Sequence, residues 1–317
     1  MITFCLVAGL VLLFVGGEVL VRGAVGTARS FAVSPLLIGL TIVAMATSAP
    51  ELVVSLKAAW ADRPAIAIGN VVGSNIANIL LILGCASLIC ALPCRKHLVY
   101  RDGSMMLVGS LLLLVLVYTG SIERWHGALL LVGLVAFLFY TFRVESRHAN
   151  GAAQVHESEA DEVPTPPGGT AGSVFFLLLG VGLLIVGAQM LVYGATETAR
   201  AFGVSEAVIG LSLVAIGTSL PELASVGVAA WRGHTDVALG NIIGSNIFNI
   251  FAILGATSLT VPVSIDAQFQ GVDIWLMVGS SALLLPLMLT GARLSKVEGC
   301  LFLAAYIAYI AWLFQGI

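Results

Sequence analysis

Charge is scarce in this chain. Of its 317 residues, 10% are Asp, Glu, Lys or Arg and 59% are hydrophobic, where a soluble domain carries about 25% charged residues. With a mean hydropathy of +1.05, most of the chain cannot face water, which excludes a soluble domain. A formal net charge of −3 leaves no basic footprint for nucleic acid. Cysteine is sparse too. Cys5, Cys85, Cys90, Cys94 and Cys300 are an odd, scattered set with no partners at zinc spacing, so they read as incidental thiols. The five histidines fall in loops or polar stretches and form no cluster. The first segment, Met1 to Ala24, lacks the positive n-region of a signal peptide. Gly16, Leu20, Val21, Gly23 and Ala24 recur as Gly187, Leu191, Val192, Gly194 and Ala195, so the segment reads as structure and not as a cleaved address.

What is abundant is apolar sequence in runs of about 20 residues, the length that crosses a bilayer as a helix. Ten spans are expected, near 3–24, 35–60, 66–92, 104–120, 124–142, 172–196, 206–231, 237–260, 272–290 and 297–315. The fold class is therefore all-α integral membrane, in two five-helix halves at 1–142 and 172–317, joined by 143–171. That joining stretch contains Glu157, Glu159, Asp161, Glu162, Pro164, Pro166 and Pro167, and its acidity and proline predict a disordered linker.

The halves repeat one another. GLTIVAMATSAPELVVSLKAAW from Gly39 answers GLSLVAIGTSLPELASVGVAAW from Gly210, and IGNVVGSNIANILLILG from Ile68 answers LGNIIGSNIFNIFAILG from Leu239. Glu51 and Glu222, and likewise Asn78 and Asn249, stand 171 residues apart with no gap between the motifs. Five spans is an odd number, so the second half enters the membrane from the opposite side and the repeats are inverted. Inverted repeats place an ion site near the midplane, at the repeat interface. One face collects Arg22, Arg29, Arg95, Lys96, Arg101, Arg143, Arg147, Arg232, Arg293 and Lys296; the other has Lys57, Arg63, Arg124 and Arg200. The positive-inside rule then puts the linker in the cytoplasm and both termini outside.

Glu51 and Glu222 lie deep in the second and seventh spans, where an ionisable group costs about 2.5–3.5 kcal/mol and marks function by default. Thr47 and Ser48 precede Glu51 by four and three residues, so the three share a helix face; Thr218, Ser219 and Glu222 repeat the pattern. Pro50 and Pro221 remove a backbone donor, leaving the carbonyls of Ala46 and Gly217 without helical partners. Backbone freed at membrane depth is tolerated where it lines a cavity, and a desolvated cation is a natural partner. Asn70, Ser74 and Asn78 form a stripe, as do Asn241, Ser245 and Asn249; interhelical hydrogen bonding is the rival reading. Asn75 and Asn246 read as structural. Gly69, Gly73, Gly240 and Gly244 are expected to let neighbouring backbones approach closely. Together these groups form an all-oxygen set with two carboxylates. Calcium takes six to eight oxygens in flexible geometry, magnesium wants a stricter octahedron, and zinc wants nitrogen or sulfur. Calcium, sodium or both fit. Glu18 and Arg22, one turn apart near a membrane edge, are expected to pair; Glu18 matches Gln189 in the repeat, so that charge is not symmetric.

TSAPE with GSNIAN, and TSLPE with GSNIFN, resemble the calcium/cation antiporter superfamily, in its prokaryotic sodium/calcium exchanger branch, over nearly the whole membrane region. The resemblance implies ten helices in two inverted five-helix repeats. It implies an ion site of Thr47, Ser48, Glu51, Ser74, Asn78, Thr218, Ser219, Glu222, Ser245 and Asn249. Many relatives carry aspartate where this chain has Asn249, which leaves the coupling ion and stoichiometry open. The expected function is sodium/calcium antiport across a prokaryotic inner membrane, with no enzymatic activity, no cofactor, and no partner beyond the transported ions and the bilayer. The expected mechanism is alternating access, with spans one and six sliding over the core. Proton/calcium exchange at the same site is the nearest alternative. A passive channel fits less well, and an intramembrane enzyme would need a nucleophile or a catalytic dyad.

Overall fold

The structure is a computed structural model and describes residues 2–31, 33–94, 96–160, 166–202 and 215–315. Its helices are α1 (Ile2–Ser30), α2 (Pro35–Thr47) and α3 (Ala49–Trp60), α4 (Pro64–Ile89) and α5 (Val99–Thr119), and α6 (Arg124–Ala160). They continue with α7 (Gly169–Ala201), α8 (Ala215–Thr218), α9 (Leu220–Trp231), α10 (Thr235–Thr260) and α11 (Val272–Thr290), and α12 (Lys296–Gln315). Among the described residues, eight helices are long and apolar enough to cross a membrane, or nine if α2 and α3 form one broken span. The seventh expected span, 206–231, is described only from Ala215 onward, and residues 203–214, Gly210 included, lie outside the described residues.

Helix ends follow local chemistry. Ser34 caps α2, its hydroxyl accepting from the Leu37 amide at 3.2 Å, and Pro35 occupies the first turn, where a missing N–H costs nothing. Gly120 closes α5 with a φ of 81°, a conformation glycine adopts without strain. The long helix α6 runs on to Ala160, past the start expected for a disordered linker. Residues 143–160 contain no proline and are rich in Ala, Glu, Gln and Arg, all good helix formers. Asp161, Glu162 and Pro164 lie outside the described residues.

The two glutamate motifs interrupt their helices in the same way. Ser48 ends α2 with φ −82° and ψ 6°, and Ser219 precedes α9 with φ −90° and ψ 6°. In each case a proline stands two residues on. The α2–α3 bend at Ser48 is 42°, as expected where proline removes a helical donor. Short π-helical segments lie at Ala77–Ile82 and Asn249–Leu254, at matching places in α4 and α10, with others at Gly39–Val43 and Val99–Gly103.

The chain divides into two compact units, each drawing on both halves of the sequence. The first comprises Met1–Pro50 and Thr141–Asn241. In it α1 and α7 pack in opposite directions through glycine. A Cβ at Gly9 would lie 2.7 Å from the Leu191 nitrogen, one at Gly16 2.9 Å from that of Leu184, and one at Gly187 2.9 Å from that of Leu13. Small residues are what allow such close helix approach. Leu13, Leu20, Ile38, Val43, Leu177 and Leu184 fill the core of this unit.

The second unit comprises Glu51–Tyr140 and Ile242–Ile317. Two short antiparallel strand pairs brace it: β1 (Leu92–Pro93) with β4 (Arg293–Leu294), and β2 (Ser121–Ile122) with β3 (Val263–Ser264). Ser110 of α5 and Ser281 of α11, 171 positions apart, share a hydrogen bond of 3.1 Å. A Cβ at Gly84 would meet Leu303 at 2.9 Å and the Gly299 carbonyl at 3.2 Å; one at Gly255 would meet Leu131 at 2.9 Å and the Gly127 carbonyl at 3.3 Å. Contacts made from one half are thus answered from the other.

Candidate ion site

In the first unit the site is built around Glu222, which the helix break at Ser219 sets in the first turn of α9. Its carboxylate is 2% exposed. Oε1 accepts a hydrogen bond from the Ser48 hydroxyl at 3.0 Å, while Oε2 has no hydrogen-bond partner among the described residues. Beside it the Thr47 hydroxyl donates to Asn241 Oδ1 at 3.2 Å. Asn241 Nδ2 donates to the Ser225 hydroxyl at 2.8 Å, and that hydroxyl donates to the Glu222 main-chain carbonyl at 3.0 Å. Threonine and serine of one motif in the first half thus meet the glutamate of its counterpart and the asparagine of the neighbouring motif in the second half.

In the second unit Glu51, 1% exposed, occupies the first turn of α3. Asn70 Nδ2 donates to its main-chain carbonyl at 3.0 Å and to the Ser55 hydroxyl at 3.0 Å. Asn249 Nδ2 donates to the Ser74 hydroxyl at 3.0 Å, and that hydroxyl donates to the Asn70 carbonyl at 2.7 Å. This fixes the amide's orientation and leaves Asn249 Oδ1 buried with no hydrogen-bond partner among the described residues. Asn78, Ser245, Ser219 and Gly217 are buried, and Thr218 and Ala46 half-buried. The Ser48 amide points at the carbonyls of both Ala44 and Ala46, the latter having lost its usual partner to Pro50. Asn75 and Asn246 donate to Val71 and Ile242, one turn back in their own helices, in keeping with a structural role.

Sequence reasoning missed Ser55 and Ser225. They perform the same service for the asparagines but sit four residues after Glu51 and three after Glu222, so the repeat alignment does not pair them. The π-helical segments at Asn78 and Asn249 carried no sequence signal either, though such segments gather at functional sites. A Cβ at Gly240 would lie 2.5 Å from the Leu36 carbonyl; among the described residues the nearest atom at Gly69 is Phe269 at 3.7 Å, and at Gly73 nothing lies within 4 Å. Close backbone approach is seen at Gly240; the residues that match its partners at the repeat offset, around Gly210, lie outside the described residues.

A buried carboxylate oxygen without a donor is costly unless something positive meets it. Each unit holds a buried oxygen without a donor among the described residues, Glu222 Oε2 in the first and Asn249 Oδ1 in the second, in a chain with eight helices long and apolar enough to cross a membrane among the described residues. Comparison with known proteins agrees. Residues 1–143 and 172–315 match the family model described as sodium/calcium exchanger protein. The chain is 42% identical to the putative antiporter CaxA of Alkalimonas amylolytica, covering 99% of each chain. It is 34% identical to the sodium/calcium exchanger MaX1 of Methanosarcina acetivorans, covering 98% of this chain and 97% of that one. Its fold matches that of the sodium-calcium exchanger NCX_Mj, soaked with sodium and calcium, with a TM-score of 0.84 and 32% identity over 98% of this chain and 97% of that one. The chain belongs to the sodium/calcium exchanger family, in the prokaryotic branch of the calcium/cation antiporter superfamily.

Proposed function

We propose that this protein exchanges sodium for calcium across a prokaryotic inner membrane by alternating access, and that Glu51 and Glu222 both hold the transported ion. The observation that carries this reading is Oε2 of Glu222, without a hydrogen-bond partner among the described residues, a buried carboxyl oxygen beside hydroxyl and amide groups in a chain of an exchanger family. The proposed ligands are Thr47, Ser48, Glu51, Ser74, Asn78, Thr218, Ser219, Glu222, Ser245 and Asn249, with the carbonyls of Ala46 and Gly217. Two carboxylates balance one calcium. When calcium leaves, the same carboxylates must be neutralised by incoming cations before the site can cross the membrane again, and that mutual exclusion makes the process exchange. The reciprocal contacts across α5 and α11, and across the strand pairs, support ten helices in two inverted repeats. The α1–α7 glycine seam supports these two helices moving as a pair.

Proton coupling is a second reading favoured by the same oxygen, since a proton on Glu222 would also satisfy it. The two separate in proteoliposomes. Calcium-45 uptake that needs internal sodium and ignores an imposed pH gradient supports sodium coupling. Uptake driven by the pH gradient without sodium assigns the proton, and no uptake under either gradient sinks the calcium assignment.

A further inference from the structure

One ion-pair cluster of the first unit is not part of the ion site. Glu18, in the middle of α1, has a side chain 17% exposed. Its Oε1 accepts from Arg22 Nε at 2.9 Å, one turn along the same helix. That pair orients the carboxylate and leaves Oε2 to accept from Arg232 Nε at 2.7 Å. Arg232 directly follows α9, so the second bond crosses from α1 to the helix that carries Glu222. The contact continues through apolar groups. The Arg232 guanidinium lies 4.8 Å from the centre of the Trp231 ring, Trp231 lies 5.6 Å from the Phe14 ring, and a Cβ at Gly17 would meet Val228 at 2.8 Å. Ten residues of helix separate Arg232 from Glu222, a rise of about 15 Å. The cluster therefore grips the far end of the site helix.

The repeat makes this cluster informative. Glutamates, threonines, serines and asparagines of the ion motifs are matched pair for pair at the 171-residue offset, but Glu18, Arg22 and Arg232 correspond to Gln189, Tyr193 and Ala61. No second copy of the ion pairs is encoded. In the alternating access proposed above, on which this inference rests, inverted repeats that exchange roles relate the two access states, so these differ in energy only through what the repeat does not share.

We propose that Glu18 is a positioning residue of the exchange reaction. Through Arg232 it holds α1 against the end of α9 in one of the two access states and biases the transporter toward that state. An ion pair of this exposure contributes modestly, which suits a bias that transport must overcome in every cycle. A population shift changes apparent affinity through the fraction of competent protein, so weakening the favoured state moves affinity oppositely on the two faces of the membrane.

The test uses Glu18→Gln, Arg232→Gln and the double variant, with the half-saturating calcium concentration measured in right-side-out and inside-out vesicles. Each single variant is expected to raise it on one face and lower it on the other by about two- to fivefold, with the double variant no larger than either single. Amide hydrogen exchange of Ile2–Ser30 in detergent, which requires no transport, is expected to quicken in both single variants. Affinities that move together on both faces, additive single effects, or unchanged exchange in α1 would overturn the proposal. Should wild-type vesicles move no calcium, the proposed function fails, and the amide measurement still decides whether the pair holds α1.

Discussion

Glu222 illustrates how much one carboxylate asks of its surroundings. The Ser48 hydroxyl satisfies one oxygen, and the other has no hydrogen-bond partner among the described residues, which is where the proposed ion would sit. Glu222→Gln keeps the shape and removes the charge, so calcium exchange should fall by at least about 100-fold, while the apo protein melts at or slightly above the wild-type temperature because a buried charge is gone. Asn241 is tied on both sides, accepting from Thr47 and donating to Ser225. Asn241→Ala removes both of these buried hydrogen bonds and should cost about 1–3 kcal/mol of stability, read as a lower melting temperature, together with weaker calcium protection against heat. Most of these residues were legible in the sequence, because ionisable and amide groups at membrane depth are expensive and each appeared twice. Ser55 and Ser225 were not, because their offsets from the glutamates differ by one residue and only packed helices reveal that they serve the same asparagine position.

At the scale of helices, breaks and seams decide what can move. Glycine marks where helices pack closely. Gly240→Ala forces a Cβ onto the Leu36 carbonyl at 2.5 Å. The substitution should lower the melting temperature sharply in thermal melts. His234, in the loop before α10, is held below its ordinary pKa of 6.5 by burial and then by the charge of Arg29, with Glu18 opposing and Arg232 adding to the effect. A depressed histidine pKa favours the neutral form, so its contribution is complete above pH 6.5 and declines as pH falls below it, where the unfolded chain takes up the proton first. Acid should therefore destabilise the wild type more steeply than His234→Asn over that window in thermal melts. The sequence placed most helices within a few residues, since apolar runs must pair their backbone internally in lipid. The length of α6 was not legible, because acidic residues predict solvated chain while the absence of proline up to Ala160 lets the helix continue, and the π-helical turns carry no sequence signal because they depend on helix neighbours.

For the whole molecule, each compact unit draws on both halves of the sequence, and each contains hydrogen bonds between one motif and the counterpart of another. A repeat built this way cannot be cut into independently working halves, which suits the proposed exchange. The proposed function requires Glu51 and Glu222 to bind one calcium together. Isothermal titration of purified protein with calcium, alone and with competing sodium, measures this. About one calcium per chain is expected, with competition by sodium and loss of that binding in Glu51→Gln and in Glu222→Gln alike. Calcium bound at undiminished affinity after either substitution would contradict it.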